Sequence, residues 1–296
     1  MANNVSIKDY AGATQVLATT ENGGIHTPHH TIVDTSGQAL SFDAKLDISK
    51  GIVADHKTVN KFGRSPDVDD HATDIWDGAI AGNAGDLWVA PTVARQHFIA
   101  STSASDDGSP VGVGARTIQV YGLTAWDAVE TSEVITLNGT TSVATVASYV
   151  IIHRMKVLSW GTSGPNVGVI TATAVLDATV TARIAAGEGQ TQMAIYGICS
   201  TDTAYMTSYY ASAIKSATSL AVEMTLLLNT QPDTSPVGFL TKHTVGLATE
   251  GSNYVHHCFH PYFKISGPAI IKIKGNSSSA STDVSAGFDL ILVDGS

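Results

Sequence analysis

The sequence predicts an all-β protein, with a β-sandwich or jelly-roll body that follows an extended, loop-rich N-terminal arm. Thr, Val, Ile and Tyr recur along the 296 residues, whereas the helix formers Lys, Glu and Leu are scarce. From His97 onward, apolar residues mostly alternate with polar ones, which is the period of a half-buried strand. Gly, Pro, Asn, Asp and Ser bound most of these runs, so we expect short turns between strands and no long helix.

The body is predicted over residues 93–296. Regularly spaced short strands without intervening helices are typical of a sandwich or a jelly roll. One sandwich, or two smaller ones that divide near residue 187, would both fit the pattern. The predicted strands are residues 116–121, 130–137, 140–146, 149–160, 167–175, 180–185, 191–198, 204–211, 220–229, 237–248, 254–265, 269–274 and 284–293.

Asn138-Gly139 predicts a tight β-hairpin between residues 130–137 and 140–146. Asn tolerates positive φ and Gly prefers it, as a two-residue type I′ turn requires at both central positions. We therefore expect these two strands to be hydrogen-bonded neighbours.

Residues 1–92 show only brief alternation, and residues 61–78 show no period at all. This region is predicted to be an arm that docks on another chain or on the following domain. It carries large aromatic rings that need a partner to cover them. The predicted partner interface contains Phe42, Phe62, Trp76 and Trp88.

Charge and composition exclude several classes of protein. Only 14% of the residues are charged, the net charge is −10, and no basic stripe is present, which argues against a nucleic-acid partner. The N-terminus lacks a signal-peptide pattern and no apolar run approaches the length of a bilayer span, so we expect neither export by that route nor a membrane anchor. Cys199 and Cys258 have no metal-binding spacing, and we expect both to be buried and free rather than paired.

Two groups of side chains have the chemistry of metal ligands. His26, His29 and His30 cluster in the loop-like N-terminal region, and an acidic run that begins with Asp67 and Asp69 suits Ca²⁺. The histidines have no carboxylate nearby in sequence, and the acidic run lacks the Gly and Glu placement of an EF-hand. No metal site and no cofactor are therefore predicted.

A second histidine group lies in a predicted strand. Strand alternation places His256, Cys258 and His260 on one face and His257 on the other. The tyrosines of residues 205–210, together with Trp126, offer either a shelf for sugar stacking or ordinary core and interface positions.

No sequence pattern of an enzyme is present. The chain has no GxSxG and no HExxH, and its glycine pairs precede no helix that could hold a phosphate. No catalytic residue is predicted.

Several segments resemble, in the same order, a widespread family of uncharacterised structural proteins of tailed bacteriophages. The resemblance covers about residues 58–212, half of the chain, and rests on the order of the segments. They are Lys61-Phe-Gly-Arg-Ser-Pro-Asp-Val-Asp69, Ile75-Trp-Asp77, Gly114-Ala-Arg-Thr-Ile-Gln-Val-Tyr-Gly-Leu123, Glu133-Val-Ile-Thr-Leu-Asn-Gly-Thr-Thr141, Tyr149-Val-Ile-Ile-His-Arg-Met155, residues 161–168 and residues 184–196.

The resemblance implies a virion component that is assembled in the host cytoplasm. We expect a non-enzymatic protein that decorates and stabilises the outer capsid surface, as a homotrimer bound to the major capsid protein or another virion protein. The alternative is a tail, neck or fibre component that binds a host surface polysaccharide. The resemblance transfers no catalytic residue.

Overall fold

The computed structural model describes residues 5–8, 14–22, 25–29, 44–78, 87–214, 221–248, 253–278 and 282–295. Within these ranges the protein is almost entirely β, with 61% strand and 2% helix. Every pairing between its strands is antiparallel. The all-β prediction is confirmed.

The chain forms two compact units, Met1–Val53 and Ala54–Ser296. The first contains a three-stranded sheet in the order β1-β2-β3. Its strands are β1 (Val5–Lys8), β2 (Thr14–Asn22) and β3 (Ile25–His29).

In the part of the chain that the structure describes, one short helix, α1 (Ala44–Ser49), follows these strands. Its last turn ends at Gly51, whose φ of 71° is the left-handed conformation that glycine adopts most easily. Among the described residues, no helix has the length and apolar character needed to cross a membrane.

The second unit holds the remaining strands. They are β4 (His56–Val68), β5 (Thr73–Asp74), β6 (His97–Ser101), β7 (Ala115–Leu123), β8 (Thr131–Thr136), β9 (Val143–Ala144), β10 (Ile151–Trp160), β11 (Ile170–Ala174), β12 (Val180–Ile184), β13 (Ile195–Ile198), β14 (Asp202–Ile214), β15 (Ala221–Asn229), β16 (Leu240–Ala248), β17 (Tyr254–Ser266), β18 (Ala269–Ser277) and β19 (Thr282–Asp294).

Four sheets organise this unit. Two are built from the middle of the chain, in the orders β10-β7-β8 and β12-β11-β6-β9. Two are built mainly from its C-terminal part, in the orders β13-β18-β15-β16 and β17-β14-β19-β4, with β5 added beside β18.

Two hydrophobic cores lie among these sheets. The central core lies among β6–β13 and includes Ile99, Ile118 and Ile170, all fully buried. The C-terminal core lies among β14–β19 and includes Met206 and Phe288. The predicted division near residue 187 falls between β12 and β13.

Strands β13 and β18 are buried on both faces and belong to both cores. Ile195 and Ile270 face the central core, while their neighbours Tyr196 and Ile271 face the C-terminal core. Because alternate residues of one strand point to opposite faces, this shared layer joins the two cores within one unit.

The predicted arm over residues 1–92 does not match the structural division after Val53. Strand β4 is hydrogen-bonded to β19 along most of its length, and β5 pairs with β18. The aperiodic run that suggested loops is therefore built into the body. Burial alternates here, but the buried positions of one face hold Lys61, Gly63 and Ser65, so that apolar residues do not show the period.

The hairpin predicted at Asn138-Gly139 is wrong. Strand β8 pairs with β7, and the short strand β9 pairs with β6 in a different sheet. A turn does exist here, closed by a 2.9 Å hydrogen bond from Thr141 N to Asn138 O. Only Gly139 has positive φ, at 57°, so the turn has the glycine requirement of type II′ instead of type I′.

Candidate functional site

A pocket of about 310 Å³ opens where the two sheet systems of the second unit meet. Residues 57–61 of β4 form one wall, and Tyr121 of β7 and Arg154 of β10 contribute to another. The buried floor consists of Lys61, His153 and Tyr196, with exposed fractions of 3%, 1% and 4%.

A β-bulge puts His153 at the floor. The pairing of β10 with β7 shifts between Ile152 and Arg154, which leaves His153 as the extra residue. Such bulges redirect a side chain without ending the strand. Opposite the bulge, Gly122 allows β7 to come close, since a Cβ there would lie 2.2 Å from the carbonyl oxygen of Ile151.

Glu130 is the acceptor at the centre of the polar contacts. Its Oε2 atom lies 2.6 Å from His153 Nε2 and accepts a hydrogen bond of 3.2 Å from the Tyr196 hydroxyl. Burial opposes ionisation, but the hydrogen bonds from His153 and Tyr196 outweigh it and lower the pKa of Glu130 to about 2. The rings of His153 and Tyr196 stack with centroids 4.4 Å apart.

The cationic side chains of the pocket are constrained in different ways. Lys61 Nζ donates to the backbone oxygen of His153, and burial, with a smaller effect from Arg154, lowers the pKa of Lys61 to about 7. Arg154 donates to the backbone oxygen of Asn60 at 3.0 Å and remains partly exposed. Burial also lowers the pKa of His153, whose Nδ1 atom has no hydrogen-bond partner.

The pocket therefore combines the Glu130 carboxylate, the Arg154 guanidinium, the buried Lys61 amine and aromatic rings around a space that suits a small polar molecule. Its residues come from positions far apart in sequence, and the prediction of sites from sequence missed them. Four of the segments that carry the phage-family resemblance supply lining residues, namely Lys61, Tyr121, Tyr196 and the pair His153 and Arg154.

The described residues of the predicted partner interface do not form one exposed surface. Trp76 and Trp88, each 3% exposed, are buried in the central core, and Trp88 Nε1 donates to Thr181 O at 2.8 Å. The body of the chain itself thus covers these two rings. The sequence left two partners open, another chain or the following domain, and the following domain is the one observed for these rings. Phe62 is half-buried on β4, and Phe42 lies outside the described residues.

The acidic metal candidate separates into different environments. Asp67 is half-buried at the end of β4, and the buried Asp69 accepts a hydrogen bond from His71 N. Ligand atoms of Asp69, Asp70 and His71 lie within 4.8 Å of one another, a spacing that allows all three to contact one cation.

The N-terminal histidine candidate is described only through its backbone. His26 and His29 lie on β3, where they pair with Glu21 and Ala18 of β2. His30 lies outside the described residues.

The histidines of β17 follow the predicted alternation. His256, Cys258 and His260 are exposed, whereas His257 is half-buried against His243. Both cysteines are free, as predicted. The expected burial holds for Cys199 but not for Cys258, because β17 is the outer strand of its sheet.

Of the two alternatives for the tyrosines of residues 205–210, Tyr209 takes the core position. This ring is fully buried in the C-terminal core, and its hydroxyl is hydrogen-bonded to His243 Nδ1. Trp126 packs against the central core as a partly buried side chain.

No protein-family model matches the chain, and the curated proteins include no significant match to it.

Proposed function

We propose that the chain is a non-enzymatic structural protein of a virus particle, which decorates and stabilises the outer capsid surface of a tailed phage. In this proposal the body is a β-sandwich or jelly-roll type structure that assembles as a closed homo-oligomer, with three copies as the expected number. The major capsid protein or another virion protein is the partner.

The single observation that supports this role best is that β16 and β17 are largely exposed outer strands. We call these two strands the open edge. Each is the outer strand of a sheet that borders the C-terminal core. Only Leu247 is buried on β16, and only Ile265 is buried on β17. Outer strands carry unpaired backbone donors and acceptors, which a neighbouring protein can satisfy.

The open edge also carries apolar side chains that the described chain covers incompletely. Phe259 and Phe263 of β17 are only partly buried against the C-terminal core. Leu240 and Tyr254 have exposed fractions of 55% and 53%. Repeated contacts with neighbouring subunits in a shell would bury such a surface.

The experiment replaces exposed apolar residues at the open edge. We expect the double variant Leu240→Lys/Tyr254→Lys to lose oligomer formation or particle binding while keeping its β circular dichroism spectrum. The matched control is Leu158→Lys/Trp160→Lys, which places two lysines at exposed apolar positions of β10. Normal oligomers and normal particle binding by the edge variant would remove this support from the proposal.

The pocket favours a second candidate function, a tail, neck or fibre component that binds a host surface polysaccharide. Arg154 offers a cation to an acidic sugar, Glu130 offers a hydrogen-bond acceptor to hydroxyls, and Tyr121 offers an aromatic ring. Binding of acidic and neutral oligosaccharides, compared between the natural chain and Arg154→Ala, tests this function. Saturable binding that Arg154→Ala abolishes would favour it, and absence of binding across both classes would reject it.

A further inference from the structure

A buried lysine–aspartate pair lies apart from the pocket and from the open edge. Lys272 Nζ on β18 is 2.6 Å from Asp74 Oδ2 on β5. The exposed fractions of the two side chains are 7% and 0%. The Phe239 ring covers the amine, with its centroid 4.3 Å from Nζ.

The two oxygens of the Asp74 carboxyl group have different surroundings. Oδ2 accepts a second hydrogen bond, of 2.8 Å, from the backbone N–H of Trp88. Oδ1 is buried and has no hydrogen-bond partner. A full negative charge on this carboxyl group is therefore poorly compensated at one oxygen.

Burial favours the neutral form of the Asp74 carboxyl group. Burial raises the pKa of Asp74, and the nearby Lys272 only partly opposes this effect. The reaction passes one proton from the Lys272 ammonium to the carboxylate, which removes both charges from the apolar interior. A neutral amine beside a neutral carboxylic acid is the reactive state for amide formation.

We propose that Lys272 and Asp74 condense into an intramolecular isopeptide bond between β18 and β5. The Nζ lone pair forms a bond to Asp74 Cγ, and the bond from Cγ to Oδ1 breaks. Oδ1 leaves as water, and both of the water protons come from the Lys272 ammonium. Oδ2, which holds the Trp88 N–H, becomes the amide oxygen, and the reaction needs no oxidant, nucleotide or metal.

The position of the pair gives the bond a structural effect. Asp74 and Lys272 are 198 residues apart in sequence, so the bond would close a loop that contains most of the second unit. Strand β18 is also shared by the two cores, and β5 pairs with it at Lys274 and Gly275. A covalent closure at this place restricts the unfolded chain and holds the middle layer together.

The test is the mass of the denatured full-length chain together with a peptide map. We expect a mass lower than that of the sequence by one water, and a tryptic peptide that joins Asp74 to an uncleaved Lys272. The variant Lys272→Arg should recover the full mass and melt at a lower temperature. The matched control Lys274→Arg, whose backbone pairs directly with Asp74, should keep the deficit.

The peptide map also distinguishes the isopeptide bond from succinimide formation, which removes one water as well. Aspartates followed by glycine can form succinimides, and the chain has such sites at Asp77, Asp107 and Asp294. A deficit that maps to one of these sites, or that persists in Lys272→Arg, would overturn the proposal. A natural chain that keeps its full mass after prolonged incubation would also overturn the proposal. This result does not depend on whether any variant folds.

Discussion

At the scale of single residues, Asp106 is the polar group with the most structural consequence in the central core. Its side chain is fully buried. Oδ1 accepts hydrogen bonds from the backbone N–H groups of Ala115 and Val167, and Oδ2 accepts from Gly168 N and Ser101 Oγ. One carboxylate thus ties the end of β6, the start of β7 and the segment before β11 together.

Asp106→Asn should destabilise the protein by about 3 kcal/mol, because an amide NH₂ would face donors that need an acceptor. The control Asp107→Asn changes the adjacent residue, whose carboxylate accepts an exposed hydrogen bond from Ser109 N. Denaturant unfolding of both variants measures the difference. Equal losses would contradict the role assigned to Asp106.

Lys61 gives a prediction about pH. Its pKa of about 7 in the folded chain lies below the ordinary value of 10.5. At a pH between these two pKa values, the unfolded chain binds a proton that the folded chain lacks. The free energy of unfolding therefore rises with pH in this range, and it decreases as the pH falls toward 7. The limiting slope is about 1.4 kcal/mol per pH unit.

Replacement of Lys61 by methionine should remove that pH dependence and stabilise the protein at neutral pH. The unfolding free energies of Lys61→Met and of the natural chain are compared at about pH 7 and about pH 9.5. The control is Lys57→Met, at an exposed position of the same strand. An unchanged slope in Lys61→Met would show that Lys61 is protonated in the folded protein.

At the scale of elements, the sequence predicted where strands lie far better than which strands pair. Each of the thirteen predicted strands overlaps a strand of the structure, from β7 to β19. Alternation reports which face of a strand is buried, but it carries no information about the neighbouring strand. For that reason the segments on either side of Asn138 were assigned to one hairpin, although they belong to two sheets.

The pocket could not be predicted for a related reason. Its floor combines Lys61, His153 and Tyr196, which lie on three strands that are far apart in sequence. The bulge that turns His153 inward leaves no mark in the pattern of apolar residues. The sequence pattern also does not show that Trp76 and Trp88 are buried, because apolar residues have no regular spacing in their segment.

The turn at Gly139 still requires glycine, although it joins different strands from those predicted. Gly139→Val should cost about 1–3 kcal/mol, since valine is strained at positive φ. A Cβ there would also lie 3.1 Å from Ala104 Cα. The control is Gly246→Val, because Gly246 lies on β16 with nothing within 4 Å of an added Cβ. Melting midpoints that fall equally in both variants would contradict this account.

Strand β4 leads to a prediction about truncation. Removal of residues 1–53 should leave a folded second unit with a β circular dichroism spectrum and a cooperative melt. Removal of residues 1–92 should abolish folding, because β19 loses β4, one of its two neighbouring strands, and the central core loses Trp76 and Trp88. Each tryptophan alone contributes about 3–5 kcal/mol, against a total stability of about 5–15 kcal/mol. Cooperative unfolding of the shorter chain would show that β4 is dispensable.

At the scale of the whole molecule, the second unit combines two packed hydrophobic cores with an outer edge that its described residues cover only in part. The two cores share β13 and β18, and buried polar groups such as Asp106 are bonded internally. The open edge of β16 and β17 is covered incompletely by the described chain. We therefore expect this edge, together with the first unit, to supply the contacts of the protein in an assembly.

The abundance of the chain in purified virus particles tests its proposed role most directly. Quantitative mass spectrometry against the major capsid protein gives the copy number per particle. A decorating protein should be present at an abundance comparable to that of the shell protein and should remain on particles after the tails are removed. A few copies that leave with the tails would favour the alternative role, and absence of the chain from purified particles would contradict the proposal that it is a virion protein.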